Sequence, residues 1–292
     1  MSNDQPAVAI LPNHIKLGWV PGALPLDEMI WPLGQPARFK GRALRDLGTD
    51  DHLVVFPRGM IHWWLGFGTR AKVSLMILEP EAVHGKHARL LRWSHRRFFR
   101  VLTFYNSLCK TLPNAAFFPF GSTWVPGWRD LDTTKARMCS LIASAKRSLE
   151  GHVLRHDIAA WAKAEGLDVD VMGGGYQRFD AKSDGLAPYR YTVVIENVRE
   201  RDYFSEKLID ALLCKTVPIY WGCPNIADHL DTRSMMICES AEDIRNALRN
   251  MSQEDYATRL PALEALQEAA ADYGDVYGRA ARLVLEAAGH RP

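Results

Sequence analysis

A chain of 292 residues, 47% hydrophobic and 24% charged, holds enough apolar material for one large or two medium cores. That composition excludes disordered, collagen-like and disulfide-knotted classes. Thirty-six Lys and Arg against 34 Asp and Glu leave a net charge of +2, which names no polyanionic partner.

The longest apolar runs, such as Leu53–Pro57 and Val73–Leu78, fall far short of the ~20 residues that cross a bilayer. Met1–Lys16 has no basic segment followed by an apolar one, so no secretory leader is expected. Cys109, Cys139, Cys214, Cys223 and Cys238 are scattered and never in CxxC spacing. They read as reduced thiols of a cytoplasmic protein.

Up to residue 128 the chain is irregular. Pro12, Pro21, Pro25, Pro32, Pro36 and Pro57 punctuate apolar runs at Ile15–Val20, His52–Phe56, Val73–Leu78 and Val101–Phe104. These runs predict short strands joined by long loops. Between them, Lys86–Arg100 carries Lys86, Arg89, Arg92, Arg96, Arg97 and Arg100 with Trp93, Phe98 and Phe99 interleaved. A solvated helix face is the plain reading; attraction to anionic lipid headgroups or to a phosphorylated, membrane-borne acceptor is the sharper one. His84 and His87, at i and i+3, lack a third metal ligand at credible spacing and read as solvated helix residues. Pro119–Asp132, with Gly121, Pro126 and Gly127, reads as a linker.

Strand and helix then alternate. Met138–Ala143 is a strand. Leu154, Ile158 and Trp161 mark one helix face, with Gly166 as its cap. Leu167–Met172 is a strand that ends in Gly173–Gly175, and Tyr191–Ile195 is another. Ser205 caps a helix over Glu206–Leu213. Thr216–Trp221 and Ser234–Cys238 are further strands, and the chain is helical from Ala241 to Gly289. Strands alternating with helices imply right-handed βαβ units and a parallel sheet.

Ligands of such a sheet bind beyond the carboxyl ends of its strands. Glu196, Tyr203, Glu206 and Lys207 crowd that edge. A helix N-terminus with a lysine suits an anion, and a first-turn carboxylate can accept hydrogen bonds from ribose hydroxyls. Together they suit a sugar nucleotide. Taken singly, Glu206 could merely favour the helix dipole and Lys207 could be a solvated surface residue.

The whole string is more specific. Tyr189-Arg190-Tyr191-Thr192-Val193-Val194-Ile195-Glu196-Asn197, then Tyr203-Phe204-Ser205-Glu206-Lys207, then Val217-Pro218-Ile219-Tyr220-Trp221-Gly222 resembles the α1,3/4-fucosyltransferases, glycosyltransferase family 10. Ile195 stands where that family usually has Phe, and Val198 where it has Ser. The resemblance implies an α/β fold of GT-B architecture, two Rossmann-like domains facing a cleft with C-terminal helices. The expected division is 1–128, an acceptor-side domain; 129–265, a GDP-sugar-binding domain; and 266–292, a C-terminal helix.

It also implies an inverting transfer of L-fucose from GDP-fucose to a glycan hydroxyl. Arg155, Tyr203 and Lys207 would hold the diphosphate, Glu206 the ribose, and Glu196 would sit near the fucose, with Asn197 in the same donor-binding set. Arg, Lys and a helix N-terminus can neutralise a leaving diphosphate, so no metal or other cofactor is expected. The resembled family places a catalytic Glu after a strand comparable to Val73–Leu78. That points to Glu79 as general base, with Glu81 as the rival and a plain surface carboxylate as the bland alternative.

Asp168-Val169-Asp170 looks like the metal-holding DxD of other glycosyltransferases, but its setting favours a structural role. The acceptor is a glycan, lipid-linked in one version. The site is cytoplasmic, with peripheral contact at the inner membrane face through 86–100 in that version. Nucleic acid is not an expected partner, for want of any motif. Two alternatives remain beside fucosyl transfer: another nucleotide sugar on the same fold, and a non-catalytic relative that binds sugar nucleotides or glycans.

Overall fold

The computed structural model describes residues 5–64 and 66–290. The chain folds as two units, 1–119 with 276–292, and 120–275. Met1–Asp4, part of the stretch scanned for a leader, lie outside the described residues.

The first unit is built on a five-stranded, all-parallel sheet in the order β1-β2-β3-β4-β5. Its elements are β1 (Val8–Ile10), β2 (His52–Val55), β3 (Lys72–Met76), α1 (Glu81–Ser94), β4 (Val101–Thr103), α2 (Asn106–Thr111) and β5 (Ala115–Phe117). The strands are short, and β1, β2 and β4 are buried at every position. A strand covered on both faces shows a continuous apolar run and no alternation. The helix Val276–Glu286 also belongs to this unit: Arg279 Nη2 donates to the Pro119 carbonyl at 3.0 Å.

Three expectations are corrected here. Ile15–Val20 is no strand; Gly18 takes φ +65°, Trp19 is 99% exposed, and the first strand is Val8–Ile10 instead. Lys86–Arg100 is not one helix. It breaks at Ser94 into a 3₁₀ turn over His95–Arg97, which lets Phe98 enter the core before β4. His87 is not solvated. It lies on the buried face of α1 with Ala88 and Leu91, and its Nδ1 stands 2.9 Å from His62 Nε2.

The second unit has a parallel sheet in the order β10-β9-β8-β6-β7. Its elements are β6 (Arg137–Ile142), α3 (Glu150–Ala164), β7 (Val169–Met172), β8 (Tyr189–Ile195), α4 (Glu206–Leu213), β9 (Val217–Trp221), β10 (Met236–Ile237), α5 (Ala241–Arg249) and α6 (Gln253–Gly274). Here the βαβ reading matches the structure. Gly166 closes α3 at φ +67°, and Ser205 caps α4 by accepting from the Lys207 N–H. The core joins β6, β8 and β9 to α4 and α6 through Leu141, Val193, Leu208, Leu212, Ile219 and Leu263.

Pro119–Asp132 is no free linker. Its Thr123 Oγ1 and Trp124 N–H both donate to Asp210 Oδ1 of α4, at 2.7 and 3.0 Å, and Val125 is buried. Among the described residues no helix is long and apolar enough to cross a membrane.

Candidate active site

From β6 the chain moves outward to β7, then returns to β8 on the other flank. The carboxyl ends of β6 and β8 therefore flank a topological switch point, where open parallel sheets bind ligands. Arg155, on the helix that follows β6, reaches across to the end of β8. Its Nε donates to the Ile195 carbonyl at 2.9 Å and its Nη2 to Asn197 Oδ1 at 3.1 Å. Burial pushes the guanidinium down from its ordinary value, against the pull of Glu196, Tyr203 and Glu206.

The helix start is drawn equally close. Gly151 N–H donates to the Asn197 carbonyl at 3.0 Å, and a β-carbon on Gly151 would collide with the Glu196 carbonyl oxygen. Only glycine permits that approach. Gly222 plays the same part from β9, because a β-carbon there would lie 2.6 Å from Glu196 Cγ.

Glu196 is fully buried. Its Oε1 accepts from the Ser205 N–H at 2.9 Å and its Oε2 from the Ser205 hydroxyl at 2.6 Å. Lys207 Nζ stands 3.7 Å from the same Oε2 and supplies the charge that a buried carboxylate needs. Glu196 lies behind the first turn of α4 and fixes Ser205, which in turn caps the helix. Tyr203 is also buried, at 1% exposure, beneath the same edge.

Glu206 and Lys207 reach solvent, with side chains 15% and 23% exposed, and Asn197 is half-buried. Lys207 Nζ donates to Glu206 Oε1 at 2.9 Å and to Ser205 Oγ at 3.0 Å. Burial alone would lower the Lys207 pKa, but Glu196 and Glu206 outweigh it and hold the ammonium above its ordinary value. Burial would raise Glu206; Lys207 outweighs it and keeps this carboxylate ionised. The first turn of α4 thus offers a fixed cation, the positive end of the helix dipole and an ionised acceptor. Those are the groups that bind a diphosphate and a ribose diol.

Sequence reasoning missed two contributors. Lys182 opens a 3₁₀ turn between β7 and β8, and its charge is felt with those of Asp210, Glu206, Lys207 and Arg155. Burial pushes its pKa down. It stands in an irregular segment, with no spacing to mark it. His152, on the first turn of α3, is 5% exposed, and its Nδ1 accepts from the Leu149 N–H at 3.3 Å. The signal for His152 was its place three residues before Arg155, on the same helix face.

Asp168 and Asp170 lie at the start of β7, on the sheet edge opposite the switch point. Asp170 Oδ2 accepts from Arg137 Nη1 at 2.6 Å and from the Tyr189 hydroxyl at 2.9 Å. Asp170 ties three strand starts together.

Glu79 belongs to the first unit, three residues beyond the end of β3. Its backbone carbonyl accepts from the Tyr105 hydroxyl at 2.7 Å. Pro80 then caps α1, and Glu81 is that helix's first residue, where a carboxylate meets the positive end of the helix dipole.

Residues 133–259 match the family described as glycosyltransferase family 10 (fucosyltransferase), C-terminal part. Over 82 residues the chain is 33% identical to the alpha-(1,3)-fucosyltransferase FucT of Helicobacter pylori, covering 26% of this chain and 16% of that protein. Over 74 residues it is 31% identical to GDP-fucose protein O-fucosyltransferase 3 of Gallus gallus, covering 24% of this chain and 16% of that one. The chain thus matches only a small part of these relatives' length. In fold it is similar to an α,α-trehalose 6-phosphate synthase from Burkholderia multivorans, with a TM-score of 0.51 and 12% identity over 83% of this chain and 73% of that one. That neighbour and the two parallel α/β units place the architecture in the GT-B class. The part of the chain that matches that family runs from before β6 into α6 and so contains the switch-point site.

Proposed function

We propose that this chain is an inverting α1,3-type fucosyltransferase that moves L-fucose from GDP-fucose to a hydroxyl of a glycan acceptor. One observation carries the reading: Ser205, Glu206 and Lys207 open α4 at the switch point, beside Arg155. The names of the Helicobacter and Gallus relatives support fucose as the sugar and GDP as its carrier. Arg155, Lys182, Lys207 and the α4 N-terminus meet the diphosphate, Glu206 the ribose. Asn197, Glu196 and Tyr203 position them.

In the transfer, the acceptor oxygen forms its bond to the fucose anomeric carbon as the bond to the GDP β-phosphate oxygen breaks. The electron pair leaves with GDP, and the acceptor proton passes to a carboxylate, which we assign to Glu79. Charge grows on the leaving diphosphate, and the fixed cations stabilise it without a metal. The placement of Asp168 and Asp170 at the far sheet edge supports that metal-independent reading. The five free thiols support a reducing, cytoplasmic setting.

The test is a thermal-shift panel of GDP-, UDP- and CMP-sugars followed by a transfer assay in excess EDTA. A bound donor raises the melting temperature by mass action. GDP-fucose should give the largest shift and be consumed with glycan present, with most activity surviving EDTA. A larger shift with a UDP-sugar would reassign the donor. GDP binding without sugar release would make the chain a non-catalytic binder. Complete loss in EDTA restored by Mn²⁺ would overturn metal independence.

A further inference from the structure

The exposed face of α1 has no part in the site described above. Lys86, Arg89, Arg92, Trp93 and Arg96 are all exposed, and Trp93 is 88% so. Lys86, Arg89 and Trp93 recur at spacings of three and four residues, which sets them in one stripe of α1, and Arg96 follows in the 3₁₀ turn. The opposite face, with His87, Ala88 and Leu91, is buried. Among the described residues, none of these four cations has an acidic side chain in an ion pair or a hydrogen bond. Elsewhere in the chain surface arginines do pair, as Arg129 does with Glu268 and Arg233 with Asp231.

A turn held against α1 carries two more exposed apolar side chains. Met60 and Trp63 are each 63% exposed and flank His62. Ser94 donates its hydroxyl proton to the Leu90 carbonyl, so its oxygen accepts from His62 Nδ1 at 2.8 Å. His62 Nε2 then accepts from His87 Nδ1 at 2.9 Å. This relay fastens the turn to α1, so Met60, Trp63 and Trp93 ride on one rigid piece of the first unit.

We infer that this face docks on a phospholipid surface bearing anionic headgroups. An indole standing out of a helix between unpaired cations is the arrangement that sits at the headgroup level, with the ring in the interface and the charges on phosphates. A glycan would use the indole but not the row of cations. A nucleic acid would use the cations, but the chain's net charge of only +2 offers no wider basic field for a polyanion. Lipid satisfies both sets at once. The inference does not depend on the donor, since no residue of the stripe belongs to the GDP-sugar set.

The test is flotation of the full chain with vesicles of phosphatidylcholine alone or with a third of phosphatidylglycerol, at low and physiological salt. The anionic vesicles should carry the protein, less so as salt rises, and the neutral ones should carry little. Each charge lost should lower partitioning about fivefold, so R89E/R92E should cut it at least 25-fold. W93A should weaken binding to anionic vesicles while leaving its salt dependence. Both variants alter exposed positions, so melting temperature and the GDP-induced thermal shift should stay at wild-type values. That shift is also the separate check on donor binding. Wild-type flotation by R89E/R92E, equal flotation on neutral vesicles, or retention on an oligonucleotide column without flotation would overturn the inference.

Discussion

At the residue scale, Lys207 does two jobs, and they can be separated. Its amine faces the proposed diphosphate, and it also balances Glu196, which is fully buried 3.7 Å away. Lys207→Ala should therefore lower transfer by roughly 10²-fold and also lower the melting temperature, because a buried carboxylate loses its partner. Adding Glu196→Gln removes the stranded charge. The double variant should regain melting temperature but not GDP affinity. Recovery of both would reduce Lys207 to a structural ion-pair partner. Lys182 carries a second prediction. Lys182→Met should weaken GDP binding about tenfold and leave guanosine binding alone, since a positioned cation acts on the phosphates and not on the base. Equal loss for guanosine would mean that the turn over Lys182–Gly185 had merely collapsed.

At the element scale, the contest is between the carboxylates beyond β3. Glu81 begins α1, where the helix dipole accounts for it; Glu79 lies in the turn before Pro80, where no helix does. Glu79→Gln keeps shape and hydrogen bonding but cannot take a proton. It should bind GDP normally and lose kcat by roughly 10²–10⁴-fold, while Glu81→Gln turns over near wild-type rate. The reverse pattern would move the base to Glu81, and two active variants would move it elsewhere. Legibility differed between the two halves for a reason seen in these same elements. β8, α4 and β9 are regular, and Ser205 and Gly166 announce helix ends, so sequence alone places the first turn of α4. In the first unit β1 and β5 are three residues each, too short for a period, and the intervening 3₁₀ turns have none. Burial was the harder thing to read. Glu196 and His87 are polar residues whose partners, Ser205 and His62, lie elsewhere in the chain, and only the fold pairs them.

At the scale of the whole molecule, two buried charges set how stability varies with pH. Lys135 donates through Nζ to the carbonyls of Ala187 and Cys214, at 2.8 and 2.7 Å, and burial lowers its pKa to about 7. Asp210, on α4, is raised to about 6, chiefly by burial. Its Oδ2 is a buried oxygen with no hydrogen-bond partner, which favours the protonated acid. The two act with opposite sign in separate windows. Between its ordinary value of 3.8 and about 6, Asp210 holds its proton in the folded state more than in the unfolded one, so its contribution falls as pH rises. Between about 7 and its ordinary 10.5, Lys135 holds its proton in the unfolded state more than in the folded one, so its contribution climbs with pH. Their summed contribution therefore passes through a minimum between about 6 and 7. Urea unfolding from pH 4 to 10 isolates each arm when variants are compared with wild type. Asp210→Asn should flatten the acid arm alone. Lys135→Met should flatten the alkaline arm alone, even if it lowers stability throughout by removing hydrogen bonds. An alkaline arm of unchanged slope in Lys135→Met would show that Lys135 stays charged when folded, with its three acceptors, Thr216 Oγ1 the third, compensating for burial.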